Sequence, residues 1–271
     1  MRSVKIKEVI DALERFAPLP LQESYDNAGL QVGLTEAEVS GALLCLDVTE
    51  KVVEEAMRRG CNLIVAHHPL IFRKLSQVSD TDYVQRTVMK AIKNDIAIVA
   101  MHTNLDSAEN GVNFKIVEKL GLRNAHFFGR NKQVISPLTG DTIIGGDGVI
   151  GEFEAPLAAD DLILLLKKKF DVECIQANEL LRREIRHVAI CGGSGSFLLR
   201  DAIGAGADAF ITGEMGYHEF FGHEQEIQIC VMGHYQSEQY TTEVLRDVIE
   251  HDTPGVKCCI SEINTNPIIY F

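Results

Sequence analysis

The chain has 271 residues, 46% hydrophobic and 24% charged, which is enough for one large domain or two small ones with a real core. Its formal charge is −13 with no long run of one sign, which argues against a broad electrostatic footprint for nucleic acid or anionic lipid. No window approaches the ~20 apolar residues of a membrane-spanning helix, and the charged opening "MRSVKIKEVIDALERF" lacks the apolar run of a signal peptide.

That opening reads instead as an amphipathic helix. "GALLCLDV" (41–48) has the length and apolarity of a strand. "TEKVVEEAMRRG" (49–60) is then a helix, capped by Thr49 and stopped at Gly60. "NLIVA" (62–66) is a strand, "TDYVQRTVMKAIKND" (81–95) a helix, "IAIVAM" (96–101) a strand and "NGVNFKIVEKLG" (110–121) a helix. The stretch 136–156, "SPLTGDTIIGGDGVIGEFEAP", is rich in Gly, Pro and Asp and predicts short β pieces in hairpins or an edge region. "AADDLILLLKKKF" (158–170) is a helix whose acidic start and basic end suit its dipole. Strands alternating with helices define an α/β protein.

The later half repeats the first. Residues 187–214 lie on 41–68 at a shift of 146, so that Cys45 meets Cys191, Asn62 meets Asp208, and the His67–His68 pair meets Gly213–Glu214. "IVAMHTNLD" (98–106) meets "CVMGHYQSE" (230–238) at a shift of 132, placing His102 on His234 and Asp106 on Glu238. We read this as an internal duplication giving two similar α/β lobes, with a chance match of two strand–helix–strand units as the alternative. None of the seven cysteines forms C-x-x-C, and Cys45, Cys61, Cys191 and Cys230 sit in aliphatic stretches. They are expected to be reduced core residues of a cytoplasmic protein.

In open α/β sheets, ligands collect at the carboxyl ends of the strands. Three predicted strands end in metal-ligand types: His67 and His68, then His102 with Asp106, then His234 with Glu238. One histidine beside an apolar run is more often a satisfied core residue, but three strand ends of the same kind make a mixed N/O site the better reading. This donor set could hold two divalent ions with a carboxylate between them. Such a pair lowers the pKa of a shared water and polarises the bond under attack, so hydrolysis is the natural reaction class.

Seven segments in order, "SYDNAGLQVG", "LDVTEKVVEEA", "AHHPLIF", "HTNLD", "CGGSG", "ADAFITGE" and "GHYQSE", closely resemble the dinuclear-metal, ring-forming family of type 2 GTP cyclohydrolase I homologues. The resemblance covers nearly the whole chain, in the short form without the domain that some members insert. It implies two lobes, 1–127 plus 235–271 and 128–234, with the metal site in the cleft between them. It also implies a toroidal homohexamer built as a trimer of dimers. Two divalent ions per subunit (Zn, Fe, Mn or Co) would be held by His67, His68, Asp106, His234 and Glu238, with the two carboxylates as bridges. His102 would stand beside the site as a proton acceptor, and His218 would be a second acid–base candidate. The implied activity is opening of the guanine ring of GTP with release of formate.

For the triphosphate, Arg73 and Lys74 of "FRK" are candidates, as are the N–H groups of Gly193 and Ser194 in "CGGSGS". A solvated loop and a tight connection are the plainer readings of those two segments. Glu214 would line the cavity. Where the family commonly carries Trp, this chain has Tyr25, and it has no Trp at all. A hexameric metal-binding or scaffold protein without catalysis is the alternative. A ring threading single-stranded nucleic acid fits poorly with a charge of −13.

Overall fold

A computed structural model describes residues 3–270. In chain order its elements begin with α1 (Ile6–Phe16), β1 (Gly29–Val32), β2 (Ala42–Cys45), α2 (Glu50–Arg59), β3 (Leu63–Ala66), α3 (Tyr83–Lys93) and β4 (Ala97–Ala100). The middle of the chain forms α4 (Thr103–Asp106), α5 (Val112–Leu120), β5 (Arg123–Ile135), β6 (Thr142–Leu157), α6 (Ala159–Phe170), β7 (Gln176–Ala177), β8 (Ile185–Cys191) and α7 (Leu199–Gly204). The chain closes with β9 (Ala209–Thr212), β10 (Gln228–Val231), α8 (His234–Glu238), α9 (Thr241–Asp252) and β11 (Cys258–Ile260). Boundaries follow local chemistry. The side chain of Thr49 accepts the Val52 N–H to start α2, which ends at Gly60 in the left-handed conformation, φ 69°. Asp82 caps α3 through the Gln85 N–H. One segment departs from expectation: β5 and β6 run for 13 and 16 residues rather than as short pieces.

The chain divides into two compact units. The first takes the chain through Ala108, with Val134–Ile143 and Thr241–Pro267. The second takes Glu109–Gln133, Ile144–Tyr240 and the chain from Ile268 onward. The crossings between units fall at 108/109, 133/134, 143/144, 240/241 and 267/268. Packing gives the reason. Ile116, Val117 and Leu120 of α5 belong to one core cluster with Val188 and Ile190 of β8.

The first unit is built on a five-stranded sheet in the order β1-β4-β3-β2-β11. Strands β2, β3, β4 and β11 are parallel, and β1 is antiparallel to β4. The second unit carries a six-stranded sheet, β5-β6-β8-β9-β10-β7, in which β8, β9 and β10 are parallel and β7 is antiparallel to β10. An antiparallel edge strand beside three parallel strands thus recurs in the same order in each. The local bonding recurs as well. The Ser40 N–H donates to Asn62 Oδ1 at 2.9 Å, and 146 residues later the Arg186 N–H donates to Asp208 Oδ2 at 3.0 Å.

The third strand corrects the sequence alignment. Ala97 pairs with Leu63, and Gln228 pairs with Ala209, so the strands repeat at 228 less 97, or 131, not 132. Met101 and Met232 are equivalent, their N–H groups donating to Ala66 O at 2.9 Å and Thr212 O at 3.0 Å. His102 therefore corresponds to Gly233, and His234 lies one residue further on.

The parallel strands β2, β3 and β4 are buried at every position, which explains their continuous apolar runs. Leu43, Cys45, Ile64, Ala66 and Ile98 pack with Val52, Val53 and Ala56 of α2 and with Val88 and Ala91 of α3. Leu44, Leu63, Val65 and Val99 point the other way and are equally buried. In the second unit Val188 and Ile190 join α5 and α6, whereas Ala189 and Cys191 join Leu199 and Ala202 of α7. All seven cysteines are reduced thiols, and burial pushes the Cys45 and Cys230 thiols up, the latter to about 12. No helix among the described residues is long and apolar enough to cross a membrane.

Candidate metal centre

In the first unit the carboxyl ends of β2, β3 and β4 deliver Asp47, His67 with His68, and His102. The three imidazoles form one cluster, with a potential ligand nitrogen from each lying within 4.8 Å of the others. Their ring centroids are 4.8 to 5.4 Å apart. His67 is fully buried, and its Nδ1 lies 2.8 Å from the Met101 carbonyl. His68 Nδ1 lies 2.8 Å from Asp47 Oδ1, and His102 Nδ1 lies 2.7 Å from Asp26 Oδ1. A carbonyl or carboxylate oxygen can only accept, so each Nδ1 carries the hydrogen and each neutral ring keeps its lone pair on Nε2. Asp106, at the end of α4, brings Oδ1 to 3.6 Å from His67 Nε2.

In the second unit His234 opens α8 directly after Gly233. Residues four apart share a helix face, and His234 Nε2 accordingly lies 3.1 Å from Glu238 Oε2. The other nitrogen, Nδ1, donates to Glu214 Oε1 at 3.0 Å, and the Ser194 hydroxyl donates to Glu214 Oε2. Glu238 is buried at 4% exposure in space left by Gly193.

Two carboxylates that the motif pattern did not single out shape the first unit's cluster. Burial alone would raise the Asp26 carboxyl. Hydrogen bonds from His102 and Thr103 outweigh it and hold the group at about 2. Asp47 is likewise raised by burial, but hydrogen bonds from His68 and Thr265 bring it below its ordinary range. Both lie in segments that the sequence marked, "SYDNAGLQVG" and "LDVTEKVVEEA". For Asp47, a carboxylate just beyond a strand was the available signal.

Arg73 and Lys74 are exposed in the irregular segment after His68. Phe72 beside them sits 6.2 Å from the His102 ring, and the exposed Tyr25 is 6.4 Å from Phe72. His218 is exposed in a single 3-10 turn, edge-on to Tyr217 at 5.2 Å. In the glycine-rich turn, the Gly193 N–H named as an anion donor has a partner within the chain. The N–H groups of Gly192, Gly193 and Gly195 donate to Asn113 Oδ1 (2.8 Å), Ser237 Oγ (2.9 Å) and Thr212 Oγ1 (3.1 Å). The Ser194 hydroxyl bonds Glu214, which in turn bonds His234.

A duplicated α/β fold whose strand ends gather imidazoles and carboxylates that could hold a metal ion defines the class of α/β protein. Within it, the chain belongs to the family Duf34/NIF3 (NGG1p interacting factor 3), whose model matches residues 4–267. It is 36% identical over 236 residues to a Clostridium perfringens protein, with 87% of each chain covered. It is 30% identical over 249 residues to one from Clostridium acetobutylicum, covering 92% of this chain and 90% of the relative. Both relatives are named GTP cyclohydrolase 1 type 2 homolog. Among solved structures, Staphylococcus aureus protein SA1388 is similar at a TM-score of 0.87 and 28% identity, with 99% of each chain covered. A Bacillus cereus protein related to NIF3 shares the fold at a TM-score of 0.86 and 24% identity over the whole of both chains.

Proposed function

We propose that the protein is a cytoplasmic, divalent-metal-dependent hydrolase acting on a nucleotide or related heterocycle, with GTP as the first substrate to test. The observation that carries this reading is the cluster of His67, His68 and His102, each ring oriented by an oxygen at Nδ1 and with ligand-type nitrogens within 4.8 Å of one another. The names of the Clostridium relatives support GTP as the candidate.

The donors fit divalent first-row ions, being imidazole and carboxylate without thiolate. Two ions per chain, Zn, Fe, Mn or Co, would take His67, His68, Asp106, His234 and Glu238 as ligands. Bound there, they would supply Lewis acidity and bring the pKa of water toward neutrality. The protein's own part is positional and protonic. Asp47 and Asp26 hold two imidazoles in one tautomer, and His102 Nε2 can accept a proton from attacking water and return it to the leaving ring nitrogen. Phe72 and Tyr25 offer aromatic surface beside His102 for a planar substrate. His218 is the second proton carrier in this reading, and the assembly is a homohexamer, a trimer of dimers, to be checked by light scattering.

The test is to load purified protein with Zn, Mn, Fe or Co and assay GTP for formate and a fluorescent pterin. Turnover that disappears in His68→Ala is expected. Absence of turnover with every metal, or turnover unchanged in that variant, removes the proposal. A second reading, a hexameric metal-binding or scaffold protein without catalysis, is favoured by the engagement of the Gly192, Gly193 and Gly195 amides within the chain. Exchangeable metal with no hydrolysis across a nucleotide and phosphoester panel would select it.

A further inference from the structure

Three of the four site imidazoles terminate chains of the same composition, histidine to carboxylate to hydroxyl. His68 Nδ1 meets Asp47 Oδ1 at 2.8 Å, and the Thr265 hydroxyl donates to Asp47 Oδ2 at 2.6 Å. His102 meets Asp26 Oδ1 at 2.7 Å, and Asp26 Oδ2 accepts the Thr103 hydroxyl at 2.5 Å and its N–H at 3.1 Å. His234 meets Glu214 Oε1, and Ser194 holds Oε2. A carboxylate bound at one oxygen can swing about its terminal torsion. Bound at both, it fixes the plane of the imidazole and the direction of the Nε2 lone pair.

The first of these chains is unusual in its source, because Thr265 lies 218 residues from Asp47. It arrives on the segment beyond β11. The Ser261 N–H donates to Leu44 O at 2.8 Å, and the Ser261 hydroxyl and Glu262 N–H both donate to Glu55, at 2.5 and 3.0 Å. Glu55 is itself buried and paired with Arg59 at 2.9 Å. The strap is therefore anchored on α2 before its threonine reaches Asp47.

We propose that Asp47 and Thr265 are positioning residues for His68, so that ion binding by this protein depends on residues 261–267 of its C-terminal strap. The inference rests on the reading of His68 as a metal ligand. Neither residue touches the ion or the substrate. They act through the imidazole.

The experiment titrates metal-free full-length protein with cobalt(II), reading affinity by competition with a chelating dye and geometry by the visible spectrum. The proteins compared are wild type, Thr265→Val, Thr265→Ala and Thr265→Ser, each also melted without metal. Val and Ala should weaken cobalt binding ~10-fold or more and alter the spectrum, whereas Ser should restore both, with metal-free melting little changed. Ala leaves no branched side chain to accommodate, so it tests the idea even if Val perturbs folding. Val and Ala proteins that hold cobalt as tightly as wild type, with the same spectrum, overturn the positioning role and leave the metal reading intact. Wild-type protein that takes up no cobalt overturns both.

Discussion

Gly193 and Glu238 compete for one space: a Cβ at position 193 would stand 2.3 Å from Glu238 Oε1. The backbone there is also left-handed, φ 59°, which costs a side-chain-bearing residue roughly 1–2 kcal/mol. Gly193→Ala is expected to push Glu238 off His234. Ion affinity measured by dye competition should fall ~10-fold or more, beside a modest loss of stability. Unchanged affinity would show that Glu238 is not needed there.

Asp208, 3.6 Å from His187 Nδ1, predicts a pH dependence of stability. Burial raises its carboxyl, but the N–H groups of His187 and Arg186 and the guanidinium of Arg183 outweigh that, so it titrates below its ordinary 3.8. A carboxyl depressed in the folded state stabilises above its unfolded pKa, and that contribution is lost as pH falls through the folded value. Asp208→Asn should therefore cost about 1–3 kcal/mol near neutrality. The gap from wild type should close below pH 3.8, as followed by denaturant midpoints. A gap that stays constant across this range would rule the carboxylate out as its source.

Phe210 on β9 is wholly buried among Ala189, Leu198 and Ile229. Phe210→Ala should destabilise by about 3–5 kcal/mol, through lost transfer energy and a residual cavity. Leu164 on α6 is 63% exposed, and Leu164→Ala should stay within about 0.5 kcal/mol. Guanidinium unfolding of both variants checks the pair.

Ion binding and folding are linked. Free cation at a hundred times its Kd should raise unfolding stability by about 2.7 kcal/mol, and chelator should reverse the gain. His68→Ala should respond much less than wild type. An equal response in the two proteins would place the ion elsewhere.

Much of this was legible because it depends on neighbours along the chain. Thr49 and Gly60 bound a helix by chemistry that acts within four residues, and "NLIVA" is a buried strand because its core positions are all apolar. His67, His68, His102 and His234 stand at strand ends for the same local reason. The 132-residue repeat failed by one residue because His234 lies one place beyond the equivalent of His102. Only the pairing of Ala97 with Leu63 and of Gln228 with Ala209 reveals it. Nothing along the chain signalled that Asn113, Ser237 and Thr212, distant in sequence, would accept from the amides of Gly192, Gly193 and Gly195.

The chain by itself determined which residues could bind a cation and which elements carry them, since residue chemistry, capping and hydrophobic period are local properties. Tertiary structure decided which nitrogen of each imidazole is tied to an oxygen and what holds it there. Asp26, Asp47 and Thr265 reach His102 and His68 from 76, 21 and, through Asp47, 218 residues away. A hydrogen bond depends on distance in space, and nothing in the order of residues states which oxygen will lie 2.8 Å from the His68 ring.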